Sequence, residues 1–323
     1  MHIRELDEMN IRKQDRMILE EMISRGILFE KLSENKIKIS HGKKSYIIKN
    51  GRVRDSPNNP LVPRIVGMKD VTSRILRRRG FNAIENTVFN KTDVNRAWNW
   101  AHPILPVVLK PAGGNLGKDV YVNISDYDEF KKRFNQIGKK HNEILVEQFI
   151  EGQEYRFLCI NNEIVAVNKR IRANVVGNGK NSILELVEIK NKRKEKSISH
   201  KKIKLNNKSQ RVITKQGYTL NSIPSIGEIV FIRETSNIAT GGDAIDVTDE
   251  IDSEVKEHIR KAVRSIKGLF IGGVDVLIKD DTPYIIEVNT LPGMLGHDYP
   301  WEGKPRGTMK KLVDEMFPDT IIK

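Results

Sequence analysis

The sequence predicts an α+β protein built from more than one subdomain. Three observations lead there. Two apolar runs, residues 274–278 and 284–288, flank a polar connector and pair as an antiparallel hairpin. A second pair, residues 155–160 and 164–169, turns at Asn161-Asn162. Apolar residues at helical spacing recur between the strands, over residues 14–25, 69–79 and 252–269. A length of 323 residues fits one large domain or two to three subdomains.

Taken in order, residues 14–25 place Met17, Ile18, Met22 and Ile23 on one helical face, and Gly26 stops the helix. Runs 27–32, 36–39 and 45–49 read as short strands, with His41-Gly42 between the last two and Asn50-Gly51 as a further turn. Pro57, Pro60 and Pro63 make residues 56–63 a loop. The helix at 69–79 ends at Gly80, with Asp70 or Thr72 available as cap. A buried strand over 107–111 ends in Lys110-Pro111; a glycine-rich turn and a strand at 120–122 follow. Ser125 is the expected cap of a helix with early acids, which suit the helix dipole. Residues 143–150 form a strand, 182–193 a helix, 229–233 a strand and 307–317 a final helix. Residues 234–243 are a Ser/Thr/Asn-rich loop with Gly241 and Gly242.

The formal net charge is +14, and it is local. Residues 190–215 hold eleven lysines and arginines against Glu195 alone, which accounts for +10 of it. This segment is either a solvated insert or a surface for an acidic carrier or peptide. It has no aromatic residue before Tyr218, so a nucleic acid would find no stacking platform there. The single cysteine, Cys159, sits among apolar residues; it excludes an internal disulfide and fits a reducing cytoplasm. The first thirteen residues are charged throughout and make no signal peptide. No apolar run approaches the roughly 18 residues of a membrane span.

The chemistry concentrates at the hairpin. Asp275 opens its first strand, Glu287 closes the second, and Asn289, two residues on, points to the same face. Two carboxylates and an amide oxygen suit Mg²⁺. The plain alternative is two solvated acids and a turn asparagine, but acids inside apolar strands are costly unless partnered. Gly113, Gly114 and Gly117 follow Lys110 and would let backbone N–H groups approach an anion; the plain alternative is a long hairpin turn. The stretch is not a Walker A loop, because no Gly-Lys-Ser/Thr opens a helix. Arg156, Lys169, Arg170 and Arg172 lie along strands, where a solvated face is the ordinary reading.

The order of these parts resembles the ATP-grasp ligases: a strand-end lysine, a glycine-rich hairpin, Glu147 and Glu154 seven apart, a mobile loop, then Asp275 with Glu287-x-Asn289. Residues 170–180 and 233–251 are similar, more narrowly, to the ligase module of bifunctional glutamate–cysteine ligase/glutathione synthetases and to cyanophycin synthetase. The EVNTLPGM run at 287–294 is similar to D-alanine–D-alanine ligases. The resemblance spans roughly residues 65–300. It implies two α+β subdomains gripping ATP plus a short N-terminal α/β subdomain. The expected division is 1–90 (N-terminal), 91–150 (central lid with the glycine-rich loop) and 151–323 (metal site and basic insert).

The resemblance also implies roles. Lys69 and Lys110 contact ATP phosphates, with Gly113, Gly114 and Gly117 over the β- and γ-phosphates. Glu147 and Glu154 hold the adenine amino group and the ribose, and the backbone of Phe149 and Ile150 meets the adenine edge. Asp275, Glu287 and Asn289 hold two Mg²⁺ ions, for which Mn²⁺ could substitute. Arg233 and Lys110 are catalytic. Arg156, Arg170, Ser236, Asn237, His297, Lys304 and Arg306 shape the substrate side. The implied reaction joins a small-molecule carboxylate to an amine through an acyl phosphate, with a γ-glutamyl dipeptide and an amino acid as nearest candidates. A large glutamate–cysteine ligase half is absent, so the carboxylate must arrive ready-made. The stretch before Lys69 is short for an N-terminal subdomain, which leaves a role for a homodimer partner. Two other readings stand beside this one: a ligase acting on a carrier- or peptide-bound acid, and a non-catalytic nucleic-acid-binding protein using residues 190–215.

Overall fold

The computed structural model describes residues 11–113 and 119–321. Gly114 and Gly117 lie outside the described residues. Helix α1 (Lys13–Ser24) buries Ile18, Leu19 and Met22, and Gly26 ends it at φ +73°. Strands β1 (Leu28–Ser33), β2 (Lys36–His41) and β3 (Lys44–Lys49) form an antiparallel sheet whose Ile37, Ile39 and Ile48 join the same core. The expected loop at 56–63 is only partly one. Pro63 lies in the first turn of α2 (Val62–Gly67), where a missing N–H breaks no helical bond. Helix α3 (Lys69–Arg78) is capped by neither Asp70 nor Thr72; Met68 is its N-cap, and Thr72 Oγ1 donates to the Ile65 carbonyl (2.9 Å), tying α3 to α2.

A four-stranded antiparallel sheet follows. It contains β4 (Asn86–Asn90), β5 (Val107–Pro111), β6 (Tyr121–Ile124) and β7 (Glu143–Gln148), in the order β4-β7-β5-β6. Helices α4 (Val94–Ala101) and α5 (Tyr127–Gly138) cover one face, packing Ala97, Phe130 and Phe134 with Val107, Leu109, Ile144 and Val146. Asp126, not Ser125, caps α5: its Oδ1 accepts the Glu129 N–H at 2.8 Å, and Ser125 lies one residue too early for that bond. Residues of opposite parity, including Asn86, Lys110 and Glu147, fall on the face without helices.

The larger sheet comprises β8 (Gln153–Ile160), β9 (Glu163–Ile171), β12 (Asp243–Asp246), β13 (Ile271–Lys279) and β14 (Thr282–Asn289), in the order β12-β9-β8-β13-β14. The β13–β14 turn is tighter than the sequence predicts, just Asp280-Asp281, both at positive φ. One face buries Phe157, Val167, Val274, Val276 and Val288 in a cluster that also takes in residues of α2, α3 and α8 (Ser253–Arg264); α8 stops five residues short of the expected end. The other face, at Leu158, Ala166 and Ile271, packs on α1, the small sheet and α10 (Thr308–Met316). Helix α9 (Leu295–Asp298) connects β14 towards α10.

Between β9 and β12 stands an insert with its own core: β10 (Asn174–Val176), α6 (Ile183–Glu195), α7 (Asn207–Lys215) and β11 (Ile229–Phe231). This insert carries the basic segment, and two of its lysines are structural groups, Lys194 buried and Lys190 half-buried. Lys190 and Lys194 both reach Asp243, at 2.6 and 2.5 Å, and the Lys194 side chain is fully covered. Arg193 lies over the Trp301 ring at 4.0 Å. His200 Nε2 accepts the Ala244 N–H at 3.0 Å, which fixes the insert against β12.

Burial first, then Lys194, lower the His200 pKa to about 4, so the fold holds the ring neutral. The unfolded chain protonates it below about 6.5, hence this contribution is complete above pH 6.5 and is lost as pH falls towards 4. Thermal melts should show Tm declining across that window. His200→Gln, whose amide oxygen can still accept the Ala244 N–H, should blunt the decline; an unchanged pH profile would remove His200 as its cause.

Candidate active site

One rung crosses the whole larger sheet. Asp246 pairs with Asn168, Asn168 with Arg156, Arg156 with Asp275, and Asp275 with Glu287. Directly opposed residues project to the same face, so five polar side chains stand in a row. Arg156 forms a two-point pair with Asp275, through Nε and through Nη2 at 2.7 Å from Oδ2. Burial lowers the Arg156 pKa, but Asp275 outweighs it and the net shift is upward. Glu287 is held by Lys69 at 3.1 Å, from the first residue of α3. Glu154 is two residues before Arg156 and takes a hydrogen bond from Ser236 Oγ. Burial, then the Asp275 charge, push the Glu154 carboxyl up.

The four-stranded sheet contributes the opposing wall. Lys110 Nζ meets Glu147 Oε1 at 2.6 Å, while Glu147 Oε2 and both polar atoms of its cross-strand neighbour Asn86 are buried without a partner. The Phe149 N–H is already donated to the Pro106 carbonyl (3.0 Å). A cleft of ≈ 280 Å³ is lined by Lys69, Ala112, Gly113, Glu287 and Asn289, among others. A Cβ on Gly113 would meet nothing within 4 Å among the described residues.

The remaining expected residues divide. Beside the rung, His297 and Asn168 are each 1% exposed, and none of their four side-chain polar atoms has a partner. Burial, then Arg170 and Arg156, hold His297 well below its ordinary pKa, so the ring is neutral. The Arg170 Nε is likewise unpartnered, and burial followed by Arg156 lowers its pKa to about 10. A Cβ on Gly296 would lie 3.4 Å from Asn168 Nδ2 and 3.0 Å from Ile238 Cδ1, which places the 238–240 turn over this cluster. Asn237 caps that turn through Ala239 N–H (2.8 Å). Three further cations already have partners. Arg233 donates to the Lys204 carbonyl (2.7 Å) and to Asn206 Oδ1 (3.3 Å), both in the insert. Arg306 clamps Asp246 and Asp249, and Lys304 meets Asp249 at 3.0 Å. Asn168, Asn86 and Asp246 were not anticipated; the one available signal was Asn168 alternating with Arg170 in an apolar strand.

The oxygen donors suit a hard cation. Asp275 and Glu287 are direct cross-strand neighbours, and Asn289 follows on the same strand. All three offer oxygen, which suits Mg²⁺ with waters and phosphate oxygens filling the other positions. Among the described residues no three His, Cys, Asp or Glu side chains form a metal cluster.

Comparison with known proteins gives the family and the fold. Residues 69–293 match the ATP-grasp domain family. The chain is 31% identical over 322 residues to the glutathione biosynthesis bifunctional protein GshAB of Enterococcus faecalis, covering 94% of this chain and 42% of that protein. It is 34% identical over 263 residues to cyanophycin synthetase of Trichormus variabilis, covering 78% of this chain and 29% of that one. The crystal structure of a bifunctional glutathione synthetase from Pasteurella multocida shares 30% identity and a TM-score of 0.70, over 96% of this chain and 44% of that chain. The chain thus spans less than half the length of these relatives.

Gly273 is where the rung tolerates no side chain. A Cβ there would lie 2.8 Å from Pro292 Cβ and 3.1 Å from Arg156 Nη1. Gly273→Ala should therefore cost about 1–3 kcal/mol in urea unfolding, the usual range for overpacking. A cost near zero would mean that Arg156 and Pro292 move aside freely.

Proposed function

Because this chain belongs to the ATP-grasp family, we propose that it is an ATP- and Mg²⁺-dependent carboxylate–amine ligase, forming an amide through an acyl phosphate and releasing ADP. One observation carries the reading. Four acids (Glu147, Glu154, Asp275, Glu287) and four cations (Lys69, Lys110, Arg156, Arg170) stand on the two sheets and at the start of α3, and their formal charges cancel. A nucleoside triphosphate that carries two divalent cations also has no net charge, so it can enter such a site without leaving an unmatched buried charge. The site lies between the unit of residues 91–150, with β4 added to it, and the unit of residues 151–323.

In this reading Glu147 and the free Ile150 N–H take the adenine edge, since the Phe149 N–H is already used. Glu154 takes the ribose hydroxyls. Lys69 and Lys110 turn from their carboxylates to the phosphates, with Gly113 beside them. Asp275, Glu287 and Asn289 would hold two Mg²⁺, which supply charge neutralisation along the triphosphate. A substrate carboxylate oxygen attacks the γ-phosphorus and ADP leaves. The amine then attacks the acyl carbon, loses a proton, and phosphate departs. Little covalent help is needed from the protein; in-line placement and exclusion of water are its tasks. The 234–243 loop, latched by Ser236 on Glu154, is the inferred water barrier. Arg233 is assigned to the acyl phosphate and must leave Lys204 and Asn206 to reach it.

Arg170, Asn168 and His297 are assigned to the acid or amine substrate. Their unpartnered groups are ready to meet a carboxylate and an amide or amine. A γ-glutamyl dipeptide with an amino acid is the first pair to test, in a cytoplasmic setting. An acid borne by a peptide or carrier is the second reading, favoured by Lys192, Lys196, Lys201, Lys204, Lys208 and Arg211, all exposed.

The experiment is ADP release from Mg²⁺ and ATP with pools of amino acids, dipeptides and di-acids, followed by product mass. ADP formed only with one pair, with a product lighter than their sum by one water, is the expected outcome. Glu287→Gln should abolish ADP formation with Tm preserved; near-normal turnover would sink the metal assignment. Asn168→Leu removes two unpartnered polar atoms, so it should leave Tm equal or higher while raising the substrate KM at least ~10-fold. A KM unchanged in Asn168→Leu would return that cluster to a purely internal role.

A further inference from the structure

The N-terminal module grips the loop that follows the candidate metal strand. Residues 290–294 run from Asn289 to α9, and three side chains from the module hold alternate positions along them. Asn58 donates from Nδ2 to the Thr290 carbonyl (3.3 Å) and the Ile271 carbonyl (3.1 Å), while its Oδ1 accepts the N–H groups of Phe270 and Ile271 at 2.7 and 2.9 Å. Arg54 donates from Nη1 to the Pro292 carbonyl. Its Nε and Nη2 go to Asp15, at 3.1 and 2.9 Å. Gln14 Oε1 accepts the Met294 N–H at 3.0 Å.

Arg54 and Asp15 are 1% and 0% exposed. An ion pair buried this deeply seldom stabilises a fold more than apolar residues of the same volume would. What it does here is aim a fixed donor at one carbonyl. Pro292, so held, packs against the place where Gly273 lacks a side chain, and the Arg156 guanidinium lies against the same place. Gly273 is also the cross-strand partner of Asn289. The path runs from Asp15 through Arg54 and Pro292 to Gly273, against which Arg156, the partner of Asp275, also lies.

We propose that Asp15, Arg54 and Asn58 are positioning residues: they set the 290–294 loop and thereby the placement of Asn289 and of the Arg156–Asp275 pair for a divalent cation. The inference rests on the metal assignment made above. It gives residues 14–58 a task at the site although they touch no reacting group.

The test uses Mn²⁺ with an imido analogue of ATP, reading free Mn²⁺ by electron paramagnetic resonance, on the whole chain. The double variant Asp15→Leu/Arg54→Met removes both charges together and leaves neither orphaned, so cooperative melting should persist. Its Mn²⁺ affinity in the presence of nucleotide should fall on the order of 10-fold, the usual effect of losing an outer partner of a metal site. Nucleotide affinity without metal should stay within about twofold, since no phosphate or adenine contact is touched. Asn58→Ala, which frees Thr290 without disturbing the ion pair, should shift Mn²⁺ affinity the same way and serves if the double variant does not fold. Wild-type Mn²⁺ affinity in the folded variants would overturn the proposal, and so would a wild-type chain that retains no Mn²⁺. A chain that binds Mn²⁺ with nucleotide, yet joins no acid to any amine, would overturn the ligase reading while leaving this comparison valid.

Discussion

The pair between Arg156 and Asp275 is the constraint on which the rest of the structure depends. It places opposite charges at the middle of a five-stranded sheet, where either one alone would be costly. The sheet accommodates it by matching it along one rung: Asn168 on one side, Glu287 with its own lysine on the other. Strand alternation then sends Phe157, Val274, Val276 and Val288 to the opposite face, where the apolar core forms. A single cross-strand register thus separates a dry face from a charged one. A slip of one residue would exchange the two, so the site and the core specify each other.

Two modules attach to this sheet, and each does so through polar groups as well as apolar contacts. The N-terminal module covers the rung's own face from Leu158 onwards and adds Asn58 and Arg54 at the loop after Asn289. The insert docks on β12 through Asp243, shared by Lys190 and Lys194, and through His200. Apolar contact tolerates sliding, whereas a directional hydrogen bond to a backbone carbonyl or amide does not. The 234–243 loop leaves the insert and ends at Asp243, so its anchor is the ion cluster that seats the insert.

Much of this was legible in the chain because its signals are local. Gly26 with its positive φ, Ser182 with Glu185 as a capping box, and Asn161-Asn162 as a turn each need only neighbours in sequence. So does the hairpin that brings Asp275 opposite Glu287. Local signals failed where two residues compete for one task, as with Ser125 and Asp126, or where tertiary contact recruits the side chain, as with Thr72. Strands β4, β10 and β12 are short, with too few alternations for a period to show; β4 and β12 each lie beside a longer strand, and β10 pairs with the equally short β11.

The sequence by itself determined the α+β class, the order of the motifs and the set of acids and lysines available for chemistry, since these follow from composition and spacing along the chain. Only the tertiary structure decided how the charges are used. It put Lys69 on Glu287 and Lys110 on Glu147, drew Lys190 and Lys194 of an apparently solvated segment onto Asp243, and turned Arg233 towards the insert. It also brought Asn168 to His297 and Arg54 to Pro292. The partners in these contacts are, with few exceptions, tens to hundreds of residues apart, and no periodicity in a chain encodes which of many like charges will meet. That is settled when buried polar groups find partners in three dimensions, the condition that a folded interior imposes on every one of them.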